Sequence, residues 1–123
     1  MKLRIQGNSI RLRVTQPELA TLLAEGHIAE TTRLGALPGS TLTYSLACAH
    51  CDEIEVQYSA GEIAVMLPWP VARHWAEESE VSIRASLNVG GPTLAVLIEK
   101  DFACLHGTEE ENAGTFPNPK MPD

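Results

Sequence analysis

The segment EIAVMLPWPVARHWAEESEVSIRASL, residues 62–87, repeats the pattern of SIRLRVTQPELATLLAEGHIAETTRL, residues 9–34. When residue 9 is aligned with residue 62, an offset of 53, apolar positions fall on apolar positions. Both segments begin with period-two alternation, change to a helical spacing of apolar residues, and return to alternation. The two halves agree in pattern rather than in letters, since residues 1–34 contain only four identical aligned pairs, Ile10/Ile63, Pro17/Pro70, Glu25/Glu78 and Leu34/Leu87.

Each half therefore predicts the element order strand, strand, helix, strand, strand. In the first half, KLRIQ and IRLRV alternate around the turn-forming Gly7-Asn8-Ser9, and Thr15 with Glu18 has the spacing of a capping box. Gly26 is typical of a helix end. These signals predict helices near residues 16–25 and 69–78. A slip of one residue then aligns Thr41 with Thr93.

A repeat of this size buries a sheet face only against another element. We therefore expect one α+β domain over residues 1–106, built from repeats at about 1–46 and 54–98 that form a pseudo-two-fold barrel or sandwich. Beyond Asp101 the periodicity stops, and residues 107–123 read as an acidic, proline-containing tail.

Composition narrows the class of protein. The chain has 123 residues, 44% of them hydrophobic, and a formal charge of −7. No apolar run reaches the ~18 residues of a membrane span, and the alternating N-terminus is unlike a signal peptide. Three cysteines without an export signal favour a cytoplasmic location. The acidic net charge argues against a generic polyanion binder.

Basic residues nevertheless concentrate on the first predicted hairpin. Lys2, Arg4, Arg11 and Arg13 share one face if the hairpin is regular. Such a face can contact phosphates, or it can be a solvated surface. The aligned positions of the second half are not basic; they are Glu55, Gln57, Ala64 and Met66.

The tetrapeptide CAHC is the second candidate site. Cys48 and Cys51 have the spacing of two zinc ligands, and His50 could assist them. A complete site needs further ligands, and Cys104 is the remaining cysteine. The alternative is a plain linker, and a single CxxC is weak evidence. We predict no resident metal and no cofactor.

No nucleophile, base and orienting group can be named together, so the sequence predicts a protein that is not an enzyme. Trp69, between two prolines, and Phe116 in the tail are candidate anchors for a partner. We expect a binding or protein-interaction module whose partner is another copy or another protein.

Two resemblances extend this interpretation. GNSIRLRVTQPEL and GEIAVMLPWPVARHW resemble the entry of AbrB-type swapped-hairpin domains, which dimerise through exchanged hairpins and include transition regulators and antitoxins. That resemblance implies the alternative function, a DNA-binding regulator or antitoxin-like protein. Nearly the whole chain resembles a family of small uncharacterised bacterial proteins, through MKLRIQGNSIRLR, LTYSL, IEKDFACL and FPNP. CAHC is not part of that pattern, which weighs against a cysteine site.

Overall fold

The computed structural model describes residues 1–77 and 82–101. Within them, eight strands and two helices follow one another in the predicted order, strand, strand, helix, strand, strand in each half. The elements of the first half are β1 Lys2–Gln6, β2 Ser9–Val14, α1 Gln16–Glu25, β3 His27–Arg33 and β4 Thr41–Ala49. Those of the second half are β5 Glu55–Ser59, β6 Glu62–Pro68, α2 Trp69–Glu77, β7 Ser82–Leu87 and β8 Leu94–Lys100. The α+β class and both predicted helices are confirmed. The tail at 107–123 lies outside the described residues.

Local sequence explains how α1 begins and ends. The backbone N–H of Thr15 donates to Glu18 Oε1 at 2.9 Å, and the N–H of Glu18 donates to Thr15 Oγ1 at 3.4 Å. These are the reciprocal bonds of a capping box. At the other end, Gly26 has a φ of 81° and its N–H donates to the Leu22 carbonyl at 2.7 Å. A glycine in the left-handed region ends the helix there without a Cβ clash.

The strands form two four-stranded sheets, ordered β1-β2-β8-β7 and β3-β4-β6-β5. Each sheet takes one hairpin from each half of the chain, because a parallel pair joins β2 to β8 in one and β4 to β6 in the other. In the described part of the chain both sheets are open and neither closes into a barrel. The barrel, one of the two predicted alternatives, is therefore wrong. Two edge strands bound each sheet and pair with no further described strand.

The same register occurs in both sheets, which suggests an internal duplication. Ser9 pairs with Ala95 and Glu62 with Thr43, so the offset is 53 for β2 to β6 and 52 for β4 to β8. The predicted slip of one residue is therefore present. The predicted alignment of Leu34 with Leu87 is wrong: the hairpin registers make Thr32 the counterpart of Leu87. The reason is spacing along the chain: β7 begins five residues after the last residue of α2, whereas β3 begins two residues after the last residue of α1.

The described residues divide into two compact units, Met1–Leu19 with 82–101, and 20–77. In the first unit the apolar face of the sheet is buried by strict alternation, at Ile10, Leu12, Val14, Val96 and Ile98. In the second unit the fully buried side chains include those of Leu46, Leu67 and Trp75. Trp75 of α2 belongs to the core. Among the described residues, no helix has the length and hydrophobicity needed to cross a membrane.

Candidate functional site

The four cations predicted on the first hairpin share one face of the sheet. In the antiparallel register Lys2 lies opposite Arg13, and Arg4 lies opposite Arg11. Directly opposed residues project to the same side of a sheet, and residues two apart along a strand do so as well. We call the side that carries these four residues the basic face.

The neighbouring strands add a fifth cation that sequence reasoning missed. Arg11 pairs with Leu97 in β8, and Leu97 pairs with Arg84 in β7. A single row therefore crosses all four strands, from Arg4 through Arg11 and Leu97 to Arg84. The sequence signal for this row is weak, because Arg84 enters it only through the parallel β2–β8 pairing of strands from opposite ends of the chain.

This row lines a surface pocket of about 290 Å³. Arg4, Arg11 and Arg84 all contribute to its lining, and Leu97 provides an apolar portion. We call it the arginine pocket. A second depression of about 200 Å³ adjoins it along the hairpin, lined by Lys2, Leu3, Arg4, Arg11 and Arg13.

Glu99, which the sequence analysis also missed, compensates two of the cations. Its Oε1 lies 2.7 Å from Arg11 Nε and 2.9 Å from Arg13 Nε. The Glu99 side chain is 13% exposed, against 33% for Arg11 and 42% for Arg13. A guanidinium carries five N–H donors, so a contact at Nε leaves donors for another acceptor. Glu99 therefore orients both arginines while they keep their capacity to bind an anion.

The rest of the basic face is only partly compensated. Lys2 Nζ lies 3.1 Å from Asp101 Oδ2, and the lysine is 67% exposed. Arg4 donates to the neutral Gln6 Oε1 at 3.2 Å. Neither Arg4 nor Arg84 forms an ion pair with a carboxylate in residues 1–77 and 82–101. Counted over the described residues, five cations thus face two contacting carboxylates, an excess of three positive charges.

The other sheet has no such surface at the matching positions. There the register pairs Glu55 with Met66 and Gln57 with Ala64, the four residues that the sequence aligns with the basic hairpin. The basic face therefore belongs to one sheet of the two.

The cysteine candidates differ from a preformed metal centre. Cys48, near the end of β4, and Cys51 are both half-buried free thiols. Burial raises the pKa of Cys48 although Arg73 opposes the shift, and burial with the charges of Glu55 and Asp52 raises the pKa of Cys51. Both thiols are therefore protonated at neutral pH. Within the described residues no three potential metal ligands gather, His50 included, and Cys104 lies outside them.

Trp69 opens α2 and is half-buried rather than freely exposed. A Cβ built at Gly26 would lie 3.3 Å from its ring, which means that the ring covers this glycine. The Arg73 guanidinium lies 5.1 Å from the ring centroid, a cation–π distance. Trp69 as a partner anchor stays a prediction, and Phe116 lies outside the described residues.

Comparison with known proteins gives a family without an assigned activity. The model of a family of unknown function, DUF7009, matches residues 1–120 of the 123. No curated protein and no solved structure matches the chain.

Proposed function

The chain belongs to this family of unknown function, and from that premise we propose that the protein is a binding module that holds an acidic protein segment on the basic face. The observation that carries the proposal is the excess of three positive charges on one side of the β1-β2-β8-β7 sheet. This excess stands out in a chain whose formal charge is −7. A local field opposite in sign to the whole molecule favours approach of a negative partner in one orientation.

The pocket chemistry favours binding over catalysis. The lining of the arginine pocket contains guanidinium, hydroxyl, amide and aliphatic groups, and no carboxylate, imidazole or thiol. General base catalysis near neutral pH needs a group that accepts a proton there, and arginine does not. The raised pKa values of Cys48 and Cys51 likewise disfavour a nucleophilic thiolate. We therefore propose a protein that is not an enzyme.

The matching registers of the two sheets support a history for this surface. We propose that a strand-strand-helix-strand-strand unit was duplicated and that the basic face arose in one sheet afterwards. Arg4 and Arg11 have Gln57 and Ala64 as counterparts, so the fold does not require cations at these positions. Residues that a fold does not require are better explained by a ligand.

A DNA-binding regulator is the second candidate, favoured by one observation. Each sheet combines hairpins from both halves of the chain, which is the interleaving expected of a swapped-hairpin protein carried on one chain. Two features weigh against it. A duplex read by a two-fold regulator needs two equivalent basic surfaces, and the chain is acidic overall.

One binding experiment separates these candidates. A fluorescent glutamate-rich peptide and a random DNA duplex of the same label are titrated with the full chain at low and high salt. The matched variants are Arg4→Glu on the basic face and Arg33→Glu on β3, which change the charge equally. We expect Arg4→Glu to weaken peptide binding about tenfold, since charged hydrogen bonds contribute about 1.5–3 kcal/mol, and Arg33→Glu to have little effect.

Equal losses in the two variants would overturn the basic face as the binding surface. Tighter binding of the duplex than of the peptide would replace the proposal with the regulator. A parallel titration uses a variant without residues 107–123, which carry four carboxylates against one lysine. If this deletion strengthens peptide binding and also lowers the molecular mass of the protein in solution, the tail of a second copy is the natural acidic segment.

A further inference from the structure

We propose that the arginine pocket is a site for one dianionic phosphate monoester group. This inference rests on the proposed function, because it assigns the basic face a specific chemical feature of its acidic partner. It goes beyond general charge attraction, since it requires three arginines to act on a single group.

The first argument is convergence. Arg4, Arg11 and Arg84 project from β1, β2 and β7, and the three contribute to the lining of one pocket. Arginines from three strands thus border one pocket, so a single bound group can accept hydrogen bonds from more than one of them. The planar donor fork of arginine matches phosphate oxygens, and a phosphate monoester has three such oxygens to offer. A carboxylate offers two oxygens in one plane, so it fits three guanidinium forks less well than the three oxygens of a phosphate monoester, which point away from one another.

The second argument is charge. Arg4 and Arg84 form no ion pair with a described carboxylate, whereas Arg11 shares Glu99 with Arg13. The pocket therefore presents two uncompensated cations and one partly compensated cation. A phosphate monoester carries about −1.5 to −2 charges at neutral pH, which matches this excess. A phosphodiester of a nucleic acid backbone carries one negative charge and matches it less well.

The third argument is size and lining. About 290 Å³ lies just below the range of small-ligand pockets, which is about 300–1,000 Å³. Leu97 lies between Arg11 and Arg84 in the row, and Ala95 and Ser9 lie in the next row toward the turn. The pocket thus has room for a phosphate group and the first carbon atoms that carry it.

The test compares ligands that share this group but differ in their source. Calorimetric titrations of the full chain use inorganic phosphate, a mononucleotide 5′-monophosphate, a phosphoserine peptide and the same peptide with glutamate in place of phosphoserine. The variants are Arg84→Gln in the pocket and Arg33→Gln on β3, which remove the same charge from different sheets. Circular dichroism checks that both variants remain folded.

We expect the phosphoserine peptide to bind at least tenfold more tightly than the glutamate peptide. Arg84→Gln should remove about tenfold to a hundredfold of that affinity, the loss of a charged hydrogen-bond pair, whereas Arg33→Gln should change it less than about twofold. The ratio of nucleotide to phosphopeptide affinity then identifies the source of the group.

The two proposals fail in different ways. If the glutamate and phosphoserine peptides bind equally and Arg84→Gln matches Arg33→Gln, the phosphate site is wrong and the acidic-segment proposal stands. If no peptide binds but inorganic phosphate and the nucleotide do, and Arg84→Gln abolishes this, the phosphate site stands without a protein partner. If no ligand binds, both are wrong.

Discussion

Arg4 of β1 lies directly opposite Arg11 of β2, so that two guanidinium groups share a side of the sheet across one pair of strands. Like charges directly opposite each other destabilise an antiparallel pair. Arg11 is compensated by Glu99, whereas Arg4 meets the neutral Gln6. The Arg4–Arg11 pair therefore places like charges opposite each other, and Arg4 gains no ion pair with a described carboxylate that would offset the repulsion. Such an unfavourable local arrangement is typical of a functional surface.

The first prediction concerns the stability cost of this arrangement. We expect Arg4→Thr to raise the free energy of unfolding by roughly 0.2–1 kcal/mol at low ionic strength, because it removes the repulsion and places a strand-favouring residue. In about 1 M NaCl, where the Debye length is about 3 Å, most of the gain should vanish. Urea denaturation at the two salt concentrations measures it.

The matched control is Arg33→Thr, at a position opposite Thr41 and thus without a facing cation. Its effect should depend little on salt. A gain for Arg4→Thr that is equal at both salt concentrations would show that strand propensity, and not repulsion, is the cause.

The second prediction concerns Glu99, which joins Arg11 and Arg13. Glu99→Gln should lower the free energy of unfolding by about 1–3 kcal/mol, because it removes a carboxylate that accepts two charged contacts and leaves the arginines uncompensated. Lys2→Gln breaks an ion pair at a residue that is 67% exposed, so it should cost less than about 1 kcal/mol.

Urea titrations of Glu99→Gln, of Arg13→Gln and of the double variant provide the coupling energy of this pair, and Lys2→Gln is measured beside them. If the Glu99 variant is no less stable than the Lys2 variant, Glu99 does not organise the basic face.

The sequence predicts well those parts of the fold that depend on interactions between residues close together in the chain. The alternation of Ile10, Leu12 and Val14 predicts a half-buried strand, and the Thr15–Glu18 spacing predicts the capping box that the hydrogen bonds display. Both depend on neighbours within a few residues. The physical cause and the sequence pattern are therefore in the same short segment.

The sequence does not predict those parts of the fold and the site that depend on pairing between strands far apart in the chain. The β2–β8 pair brings Glu99 beside Arg13 and Leu97 beside Arg11, and β7, which pairs with β8, then adds Arg84 to the row. Nothing in the alternation of β8 specifies which strand it joins or in which direction. The predicted alignment of β3 with β7 is wrong for a similar reason. The number of residues between a helix and the next strand shifts this alignment without changing the apolar pattern of either strand.

The third prediction is a dependence of stability on pH through Glu18. Burial alone would raise the pKa of this carboxyl, but hydrogen bonds from the N-terminal amine and Thr15, with the charge of the amine, hold the pKa below its usual value of 4.5. A lowered pKa in the folded state contributes stability that is present above about pH 4.5 and is lost as pH falls through the folded pKa.

Glu18→Gln should therefore cost about 1 kcal/mol near neutral pH, the usual size of a capping contribution, and progressively less as the pH falls below 4.5. Thermal or urea unfolding from neutral to acid pH tests this. Glu25→Gln, at the exposed last turn of the same helix, serves as the control and should show no loss near neutral pH, because an acid is unfavourable at that end of the helix dipole. A difference between wild type and Glu18→Gln that stays constant into acid would contradict the linkage.

The last prediction separates backbone strain from steric clash at two glycines. Gly61 has a φ of 76° and Gly39 a φ of 82°, so alanine is strained at both positions by about 1–2 kcal/mol. A Cβ at residue 61 would also lie 2.8 Å from the Thr41 carbonyl oxygen, a backbone atom, whereas one at residue 39 meets nothing within 4 Å. The Thr43 N–H donates to the Gly61 carbonyl at 2.8 Å, which holds the two chain segments together.

We therefore expect Gly39→Ala to cost about 1 kcal/mol and Gly61→Ala about 2–4 kcal/mol, within the range of mutations that strain a packed backbone. Urea unfolding followed by tryptophan fluorescence, from Trp69 and the fully buried Trp75 of the same unit, measures both. Equal losses would mean that the β5–β6 turn moves away from β4 at little cost, and that the close approach at Gly61 does not fix the register of this sheet.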